Sequence, residues 1–386
     1  YASTSTMRMA TSPSVMTAFS SSGAASSAGP DSAANRSVTA SAYGVPMDVL
    51  AMRMSNLLLS RPGESPAQVA DWFGAMQSQD VGSGKWSLGV RLGLTEAQVD
   101  QAFADGEVLR TWPMRGTIHT IHPANARWLL DLTGVRTFKG VEKRWEFLGL
   151  DRETVHKAAD VLEAALQDGP LTRSECVEAL HAAGIPAADN RWTYHLLWHT
   201  AQLGITCIGP DQKFVLLNQW APEQRRPDDP LATLARMYFQ SHGPTTIKDF
   251  QGWTGLTMTD ARKGVAAADL TNEGELYYVP SEIADLPPAL LLPGFDEYLL
   301  GYKDRSAFLE PAHFDAVVPG GNGMFKATAV QNGRVIGTWL RKVLAKKVVI
   351  TITPFGTVSA KARKAFEAPA AAYGRYLGRE AELVWA

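Results

Sequence analysis

The chain has 386 residues, 45% of them hydrophobic and 20% charged, with a formal net charge of -2 at pH 7. That length is enough for two or three domains with sizeable cores, and no apolar run reaches the roughly 18 residues that a membrane helix needs. The two cysteines, Cys176 and Cys207, have neither CxxC nor metal-ligand spacing, which argues against a disulfide framework and a zinc site and fits a reducing cytoplasm.

Residues 1–45 are Ser, Ala, Thr and Met with hardly any large apolar side chain. Such a segment cannot bury enough surface to offset the entropy lost on ordering, so we predict a disordered tail. Arg8, Arg36 and the scarcity of acidic residues faintly resemble a transit peptide, but no amphipathic helix supports that interpretation. We expect either a disordered extension or translated sequence upstream of the true start.

The next region, residues 46–150, combines helical patterns with a β-rich arm. Helices are predicted by "SPAQVADWFGAMQSQ" and "TEAQVDQAFADGE", and two strands by "VLRTWPMRGTIHTI", with "PMRG" as their turn. Between the helices stands "WFGAMQSQDVGSGKWSL", in which Gln77 and Gln79 lie two residues apart before Asp80. Positions two apart on a helix point to different faces, so the helix must end or bend there if both amides serve one site.

Residues 155–219 follow an order of three helices and a hairpin. The helical patterns are "VHKAADVLEAALQDG", "PLTRSECVEALHAAGI" and "NRWTYHLLWHTAQLG", and "ITCIGPDQKFVLL" predicts two short strands. Thr172 and Glu175 have the spacing of a capping box at the start of the second helix. This order is that of a winged helix, a variant of helix-turn-helix.

The same order recurs in "PLATLARMYFQSHG", "PTTIKDFQGWTG", "TMTDARKGVAAAD" and "LTNEGELYYVP". Thr245 or Thr246 is the expected helix cap. The Gly-Pro-x-Thr joint at Gly169 to Thr172 returns at Gly243 to Thr246, which favours a duplication. We predict three tandem winged-helix units, a looser one at 46–150 and two closer copies at 151–222 and 223–286.

Residues 287–386 change to a β-rich α/β pattern, with an Asn-Gly hairpin turn in "TAVQNGRVIGTWL", a strand in "KKVVITITPF" and a closing helix. The predicted fold class is therefore α+β, mainly helical, with three winged-helix units followed by a β-rich C-terminal module. Between Ala316 and Phe366 the chain has nine basic residues and no acidic one. This basic segment suggests a face for phosphates; the alternative is a solvated surface balanced by acids folded against it.

Winged helices most often bind DNA through the third helix and the wing, so nucleic-acid binding is the leading class. The third helix of the middle unit is apolar over most of its surface, which is also typical of a core helix. In the arm, alternation places His119 and His122 on opposite faces, unlike HExxH, and no third ligand is evident, so we expect no metal site. Arg110 and Arg115 flank the arm and suit phosphates.

The Gln77–Asp80 segment has two interpretations from its residues alone. In one, Asp80 activates a water and the glutamines position water or sugar. In the other, these side chains cap a helix end, and the residues alone favour this one. The following "GSGKW" is not a phosphate loop, because Gln79 and Trp86 stand where Gly and Ser or Thr are required, and we expect a flexible glycine-rich turn.

Four motifs in order resemble the winged-helix DNA glycosylase family, the crosslink-unhooking HTH_42 group: "MQSQD", "LRTWPMRGTIHTIHP", "LLPGFDEYLLGYKDR" and "VIGTWLRK". The resemblance runs from about Asp48 to the C-terminus and is strongest to members with a Gln-x-Gln motif, whereas a second branch carries Gln-x-Asp. It implies a concave DNA-binding surface, catalytic roles for Gln77 and Gln79, and excision of bulky N7-alkylated purines, including interstrand crosslinks. It gives Asp80 no catalytic role.

A neutral amide pair fits that chemistry, because a purine alkylated at N7 is cationic and needs little acid assistance to leave. An amide can align a water by hydrogen bonding without titrating. We hypothesise that Gln79 holds the water while Gln77 orients it or contacts the sugar-phosphate, or the reverse. No lysine near the motif other than Lys85 could form a Schiff base, so we prefer monofunctional hydrolysis to lyase chemistry.

We therefore expect a monofunctional DNA glycosylase that needs no cofactor or metal and acts as a monomer on duplex DNA, cytoplasmic and nucleoid-associated in a prokaryote. The alternatives are a non-catalytic winged-helix regulator and a protein-interaction scaffold. Besides the basic segment, the side chains expected to contact DNA are Arg110, Arg115, His119, His122, Lys303 and Arg305.

Overall fold

The structure, a computed structural model, describes residues 39–40, 46–185 and 190–386. The predicted disordered tail, residues 1–45, lies outside the described residues except for Thr39–Ala40, strand β1, which pairs with β2, Pro46–Met47. The described part of the chain mixes helices and strands, as predicted. None of its helices is both long and apolar enough to span a bilayer.

Residues 49–121 of the first region form four α-helices and three strands: α1 Val49–Asn56, α2 Pro66–Phe73, β3 Met76–Gln77, α3 Val81–Leu92, α4 Glu96–Ala104, β4 Leu109–Met114 and β5 Thr117–Ile121. Helix α2 begins at the Ser65 cap and ends at Gly74, whose φ is 73°. The predicted continuation of this helix through "AMQSQ" is wrong, because Met76 and Gln77 pair with β5 as a strand. Extended backbone, and not a helix end, therefore carries Gln77.

The expected flexible glycine turn after Asp80 is also wrong. Gly82 and Gly84 lie in the first turns of α3, and Asp80 caps that helix by accepting the Ser83 N–H at 2.8 Å. Glycine is needed at Gly84 because a Cβ there would overlap the Oγ of Ser78. These glycines let a helix backbone approach the motif closely, which is a packing role and not a flexible one.

The arm of the first region shares a sheet with the hairpin of the second. The strand order is β3–β5–β4–β6–β7, with antiparallel neighbours, where β6 is Thr206–Ile208 and β7 is Phe214–Leu216. The turn between β4 and β5 is Arg115–Gly116, with φ of 55° and 68°, so Pro113 and Met114 belong to the strand and not to the turn.

The predicted order of three helices and a hairpin is present in both later regions. Helices α5 Ala126–Thr133 and α6 Val141–Leu148 precede the first set, which is α7 Arg152–Ala165, α8 Arg173–Ala182, α9 Asn190–Gln202 and the β6–β7 hairpin. After α10, Leu217–Trp220, come α11 Pro230–His242, α12 Ile247–Thr254, α13 Met258–Ala267, β8 Thr271–Glu273 and β9 Leu276–Tyr278. Capping boxes at Thr172 and Thr246 start α8 and α12.

The C-terminal region is built on a second five-stranded sheet, in the order β10–β11–β12–β13–β14. Its elements are β10 Ala289–Leu292, α14 Glu297–Leu300, α15 Phe314–Val317, β11 Thr328–Gln331, β12 Arg334–Val343, β13 Lys347–Pro354, α16 Ala360–Ala365, α17 Glu367–Tyr376 and β14 Glu380–Trp385. The Asn332–Gly333 turn is confirmed, with φ of 44° and 73°. Strand β14, which the sequence analysis did not predict, pairs parallel to β13.

Buried side chains connect distant parts of the chain. One core cluster joins Phe73 and Trp86 of the first region to Leu291, Trp339 and Tyr373 of the C-terminal region. Helix α9 contributes much of its surface to another cluster, with Leu196, Leu197, Trp198 and Ala201 buried, so it is a core helix. The predicted domain boundaries stay predictions.

Candidate active site

Gln77 lies in a row of polar side chains that crosses three strands. Its partner in β5 is His119, whose partner in β4 is Thr111, and directly paired residues of antiparallel strands share a face. The Oε1 of Gln77 and the Oγ1 of Thr111 are buried and have no hydrogen-bond partner among the described residues. The same holds for the Oγ1 of Thr117, two positions before His119. Buried polar atoms are nearly always bonded, so this row is a candidate for binding a polar ligand.

His119 is buried at the centre of the row as a neutral imidazole. Burial, and then the charge of Arg115, lower the pKa of His119 to about 3. Its Nδ1 lies 2.9 Å from the carbonyl oxygen of Thr117. Because that oxygen can only accept a hydrogen bond, Nδ1 carries the hydrogen and donates, and Nε2 accepts from Arg115 Nη2 at 3.3 Å. The left-handed backbone of Arg115, with φ of 55°, delivers the guanidinium to that position.

A buried carboxylate, Glu297, supports the backbone of Gln77. Glu297 is 1% exposed, and its Oε1 accepts the Gln77 N–H at 2.9 Å. Its Oε2 accepts from Trp253 Nε1 at 2.8 Å and lies 3.2 Å from His242 Nε2. Burial alone would raise the pKa of Glu297, but the hydrogen bond and charge of His242, the Gln77 N–H and the charge of Arg115 lower it to about 2, so the group is a carboxylate at neutral pH.

The other members of the motif have different partners. Gln79 is exposed, and its Oε1 accepts the Ile118 N–H at 3.0 Å. Ser78 is buried, and its N–H donates to the Ile118 carbonyl oxygen at 2.8 Å. Asp80 caps α3 and is exposed. The two glutamines are thus tied to the same strand, β5, from two sides of Ser78.

Two of the predicted DNA contacts in the arm are tied to neighbouring backbone or side chains. Arg110 is 3% exposed, its Nη1 donates to Gln212 Oε1 at 2.8 Å, and burial lowers its pKa to about 10 against the opposing charge of Asp100. His122 is half-buried, and its Nδ1 accepts the Ala124 N–H at 3.2 Å. Their burial lends no support to direct phosphate contacts, which stay predictions together with that of the fully buried His119.

The remaining predicted contacts are more accessible. Lys303 is exposed, with its Nζ 3.0 Å from Gln251 Oε1. Arg305 is half-buried beside the rings of Phe314 and Phe325, and its Nε donates to the Leu299 carbonyl oxygen at 2.7 Å. Both follow α14, the short helix that begins with Glu297.

The basic segment is exposed and reaches the motif. Among the nine basic residues of this segment, Lys347 alone has a carboxylate of the described chain within 4.0 Å, that of Glu382 at 2.6 Å. Few acidic side chains therefore neutralise the segment. The guanidinium of Arg341 packs against the first turn of α3, where a Cβ on Gly82 would lie 2.6 Å from Nη2. The exposed basic residues are Lys326, Arg334, Arg341, Lys342, Lys346, Lys347, Lys361, Arg363 and Lys364.

Lys85 is engaged away from the row of polar side chains. Its ammonium lies 2.5 Å from Asp100 and 3.9 Å from Glu96, both on α4. Among the described residues, no three His, Cys, Asp or Glu side chains are grouped as a metal ion would require. Cys176 and Cys207 are free thiols, and burial raises the pKa of each well above its ordinary value.

Comparison with known proteins identifies the family. The model of the AlkZ-like DNA glycosylases matches residues 70–376. The chain belongs to this family. A curated relative, the interstrand DNA cross-link repair glycosylase of Streptomyces sahachiroi, is 28% identical over 368 residues, which are 86% of this chain and 96% of that protein. The solved structure of the S. sahachiroi DNA glycosylase AlkZ is similar with a TM-score of 0.71 and 26% identity, covering 88% of this chain and 98% of that one.

This AlkZ-like DNA glycosylase has one prominent residue that sequence reasoning missed. The motif "LLPGFDEYLLGYKDR" carried the resemblance, but Glu297 within it received no role. A signal was present, since an acidic pair in an otherwise apolar run predicts buried, paired carboxylates. Asp296, its neighbour, is fully buried in a two-pronged pair with Arg91 of α3, with N–O distances of 2.8 and 2.9 Å.

Proposed function

We propose that this chain is a monofunctional DNA glycosylase that hydrolyses the N-glycosidic bond of bulky N7-alkylated purines in duplex DNA, including purines in interstrand crosslinks. The observation that carries the proposal is the Gln77 Oε1, a buried acceptor that no donor among the described residues reaches, in a polar row of an AlkZ-like glycosylase. The curated S. sahachiroi relative is named for interstrand crosslink repair, which supports the substrate class.

The reaction needs little from the protein at the leaving group. The C1′–N9 bond breaks with its electron pair going to the purine, where it neutralises the positive charge that N7 alkylation created. A water oxygen bonds to C1′ and loses a proton to solvent, which leaves an abasic deoxyribose and a free base. Neutral hydrogen-bonding groups that place the water beside C1′ are sufficient for such a step.

Of the two divisions of this work that the sequence allows, the contacts favour the one with Gln77 at the water. The Oε1 of Gln79 already accepts the Ile118 N–H, whereas the Oε1 of Gln77 receives no hydrogen bond from the part of the chain that the structure describes. We assign the acceptor role toward the attacking water to Gln77. Gln79, exposed and fixed through its oxygen, orients the water or contacts the sugar-phosphate through its amide NH₂ group.

Hydrolysis without a covalent intermediate is supported by the position of Lys85. An ammonium held 2.5 Å from Asp100 is not a free amine, and attack on C1′ requires the neutral form. Borohydride therefore traps no protein–DNA adduct in this account. A trapped adduct would replace hydrolysis with lyase chemistry.

Duplex DNA is the proposed substrate because basic residues lie near the motif. Arg341 of the basic segment packs against α3, and Lys303 and Arg305 follow α14, the helix that begins with Glu297. We also propose that the three helix-and-hairpin regions are tandem winged-helix units, with the C-terminal module completing the DNA-binding surface. Phosphate contacts of this kind make affinity fall steeply with salt.

The decisive experiment incubates the purified protein with a duplex containing N7-methylguanine and measures the free base by chromatography. We expect wild type to release 7-methylguanine and Gln77→Ala and Gln79→Ala to lose release by roughly 10²-fold or more, the size of effect seen when one preorganised polar group is removed. Gln98→Ala, at an exposed capping position of α4, is the matched control and keeps wild-type release.

Other outcomes point to the two alternatives. Salt-dependent binding without base release supports a winged-helix regulator without catalysis. The absence of salt-dependent DNA affinity supports a protein-interaction scaffold. Release that survives both glutamine substitutions would keep the enzyme but remove the glutamine pair as its catalytic residues.

A further inference from the structure

We propose that Glu297 is a positioning residue for base excision, holding the main chain of Gln77 and supplying a fixed negative charge beneath the sugar that becomes positive in the transition state. This inference rests on the proposed function and extends it to a side chain that does not touch the substrate. It also explains why a site built from neutral amides can favour a cationic reaction.

The geometric part of the inference is the bond from Gln77 to Glu297. The Gln77 N–H donates to Oε1 at 2.9 Å, although Gln77 belongs to β3 and Glu297 lies 220 residues later in α14. Strand β3 has only two residues, so its ladder hydrogen bonds alone define its position weakly. The Glu297 carboxylate adds a hydrogen bond to those of the strand ladder, and it fixes the backbone from which the Gln77 amide extends.

The carboxylate itself is held from the opposite side. Trp253 Nε1 donates to Oε2 at 2.8 Å and His242 Nε2 lies 3.2 Å from the same oxygen. Asp296, the preceding residue, anchors the start of α14 to Arg91. A side chain with this many fixed partners keeps its place without reorganising during the reaction, which is the property that preorganised electrostatics requires.

The electrostatic part rests on the burial and surroundings of this charge. Glu297 is 1% exposed, and charges interact more strongly across a dry interior than across water. The row above it contains neutral His119 and the uncharged groups of Gln77 and Thr111. The Arg115 guanidinium lies beside this row, 3.3 Å from His119 Nε2, and its positive charge also acts on Glu297. Within 4.0 Å, Glu297 pairs with His242 and with no other described basic group.

The test compares binding of two abasic-site analogues in a duplex, a cationic pyrrolidine and a neutral tetrahydrofuran, together with single-turnover release of 7-methylguanine. Wild type is expected to prefer the cationic analogue. Glu297→Gln keeps the length of the side chain and an oxygen for the Gln77 N–H but removes the charge. We expect it to lose that preference by roughly tenfold and the release rate by roughly 10- to 100-fold, as when an outer partner of a site is removed.

Asp249→Asn is the matched control, because it also removes the charge of a buried carboxylate, one that accepts the Lys303 N–H at 2.7 Å. We expect it to lower the melting temperature and to keep the wild-type preference for the cationic analogue.

Glu297→Asp is the second variant, and it tests the inference if Glu297→Gln does not fold. It keeps the charge but withdraws it from Gln77, so it is expected to keep the preference and release base more slowly.

Two results overturn the inference while leaving the proposed function intact. The first is a folded Glu297→Gln protein with the wild-type analogue preference and release rate. The second is Glu297→Asp releasing base at the wild-type rate when Glu297→Gln is unfolded. A wild-type protein that releases no base overturns the proposed function and this inference together, so the two failures are distinguishable.

Discussion

At the scale of single residues, the motif is organised by what each side chain is bonded to. Gln77 rests on Glu297 through its N–H, and Gln79 reaches Ile118 through its Oε1. Ser78 between them is buried against Gly84 of α3. The spacing of the two amides is therefore maintained by a serine that contacts a helix backbone, and this contact can be tested separately from the amides.

Gly84→Ala should disturb excision by displacing Ser78. The new Cβ would overlap the Ser78 Oγ and lie 2.8 Å from the Ser78 Cβ, closer than carbon atoms pack. We expect roughly a tenfold or larger loss of the single-turnover release rate, by the argument that small misplacements of catalytic groups are costly. Ser78→Gly in the same protein removes the two overlapping atoms and should restore part of the rate. A Gly84→Ala protein with wild-type release would show that the contact does not position the glutamines.

At the scale of elements, helix α3 has two functions in this account. Its first turn follows the motif directly, with Asp80 as its cap, and Arg91 in its last turn holds Asp296. One helix thus connects the glutamines to the start of α14, where Glu297 lies. If Asp80 only caps α3, its hydrogen bond to the Ser83 N–H matters and its charge does not, and two substitutions can distinguish these.

Asp80→Asn should leave both stability and base release close to wild type, because asparagine caps helices about as well as aspartate. Asp80→Ala loses the bond to the Ser83 N–H and should cost about 1 kcal/mol of unfolding free energy. Urea denaturation and single-turnover release measured on the same two variants check this. A loss of release in Asp80→Asn comparable to that in Gln77→Ala would make Asp80 the catalytic base instead.

Local patterns predicted the elements that local interactions define. Capping residues such as Thr172 and Thr246 marked helix starts, and Asn332–Gly333 marked a hairpin. The elements around the motif escaped prediction because long-range contacts decide them: Met76–Gln77 is a strand since β5 pairs with it. Likewise Gly82 and Gly84 are helical because of tertiary packing, and Glu297 becomes important only when α14 meets β3.

At the scale of the whole molecule, the motif lies where several parts of the chain converge. Strand β3 and the arm provide the polar row, α11 and α12 provide His242 and Trp253, and the C-terminal region provides Glu297 and Arg341. The core clusters likewise combine segments distant in sequence. Loss of stability in any of these regions should therefore reach the site, and the buried histidines give a way to impose such a loss.

Acid should destabilise the protein below about pH 6.5. Burial lowers the pKa of His119 to about 3 and those of His195 and His199 to about 4, against an unfolded value of 6.5. Between pH 6.5 and 4 the unfolded chain therefore binds protons at these histidines that the folded chain does not bind. Their contribution to the unfolding free energy is complete above pH 6.5 and is lost as the pH falls toward 4. At pH 5.5 the loss is on the order of 1 kcal/mol per histidine.

Urea denaturation at pH 7.5 and pH 5.5 measures this loss. His199→Gln removes one titrating group whose two ring nitrogens have no hydrogen-bond partner among the described residues, so its loss between the two pH values should be smaller than that of wild type. Glu297, with a pKa of about 2, adds to the loss only at lower pH. Equal unfolding free energies at both pH values in wild type would contradict these buried neutral imidazoles.

We propose above all that this chain cleaves glycosidic bonds in crosslinked DNA through Gln77 and Gln79. The most direct test is single-turnover incubation of a duplex with one defined N7–N7 purine crosslink, followed by denaturing electrophoresis. We predict that wild type converts the crosslinked species into separate strands and that Gln77→Ala and Gln79→Ala leave it crosslinked. Gln77→Ala should still bind the duplex with wild-type affinity. Strands that stay joined in wild type, or that separate in both variants as fast as in wild type, would contradict the account.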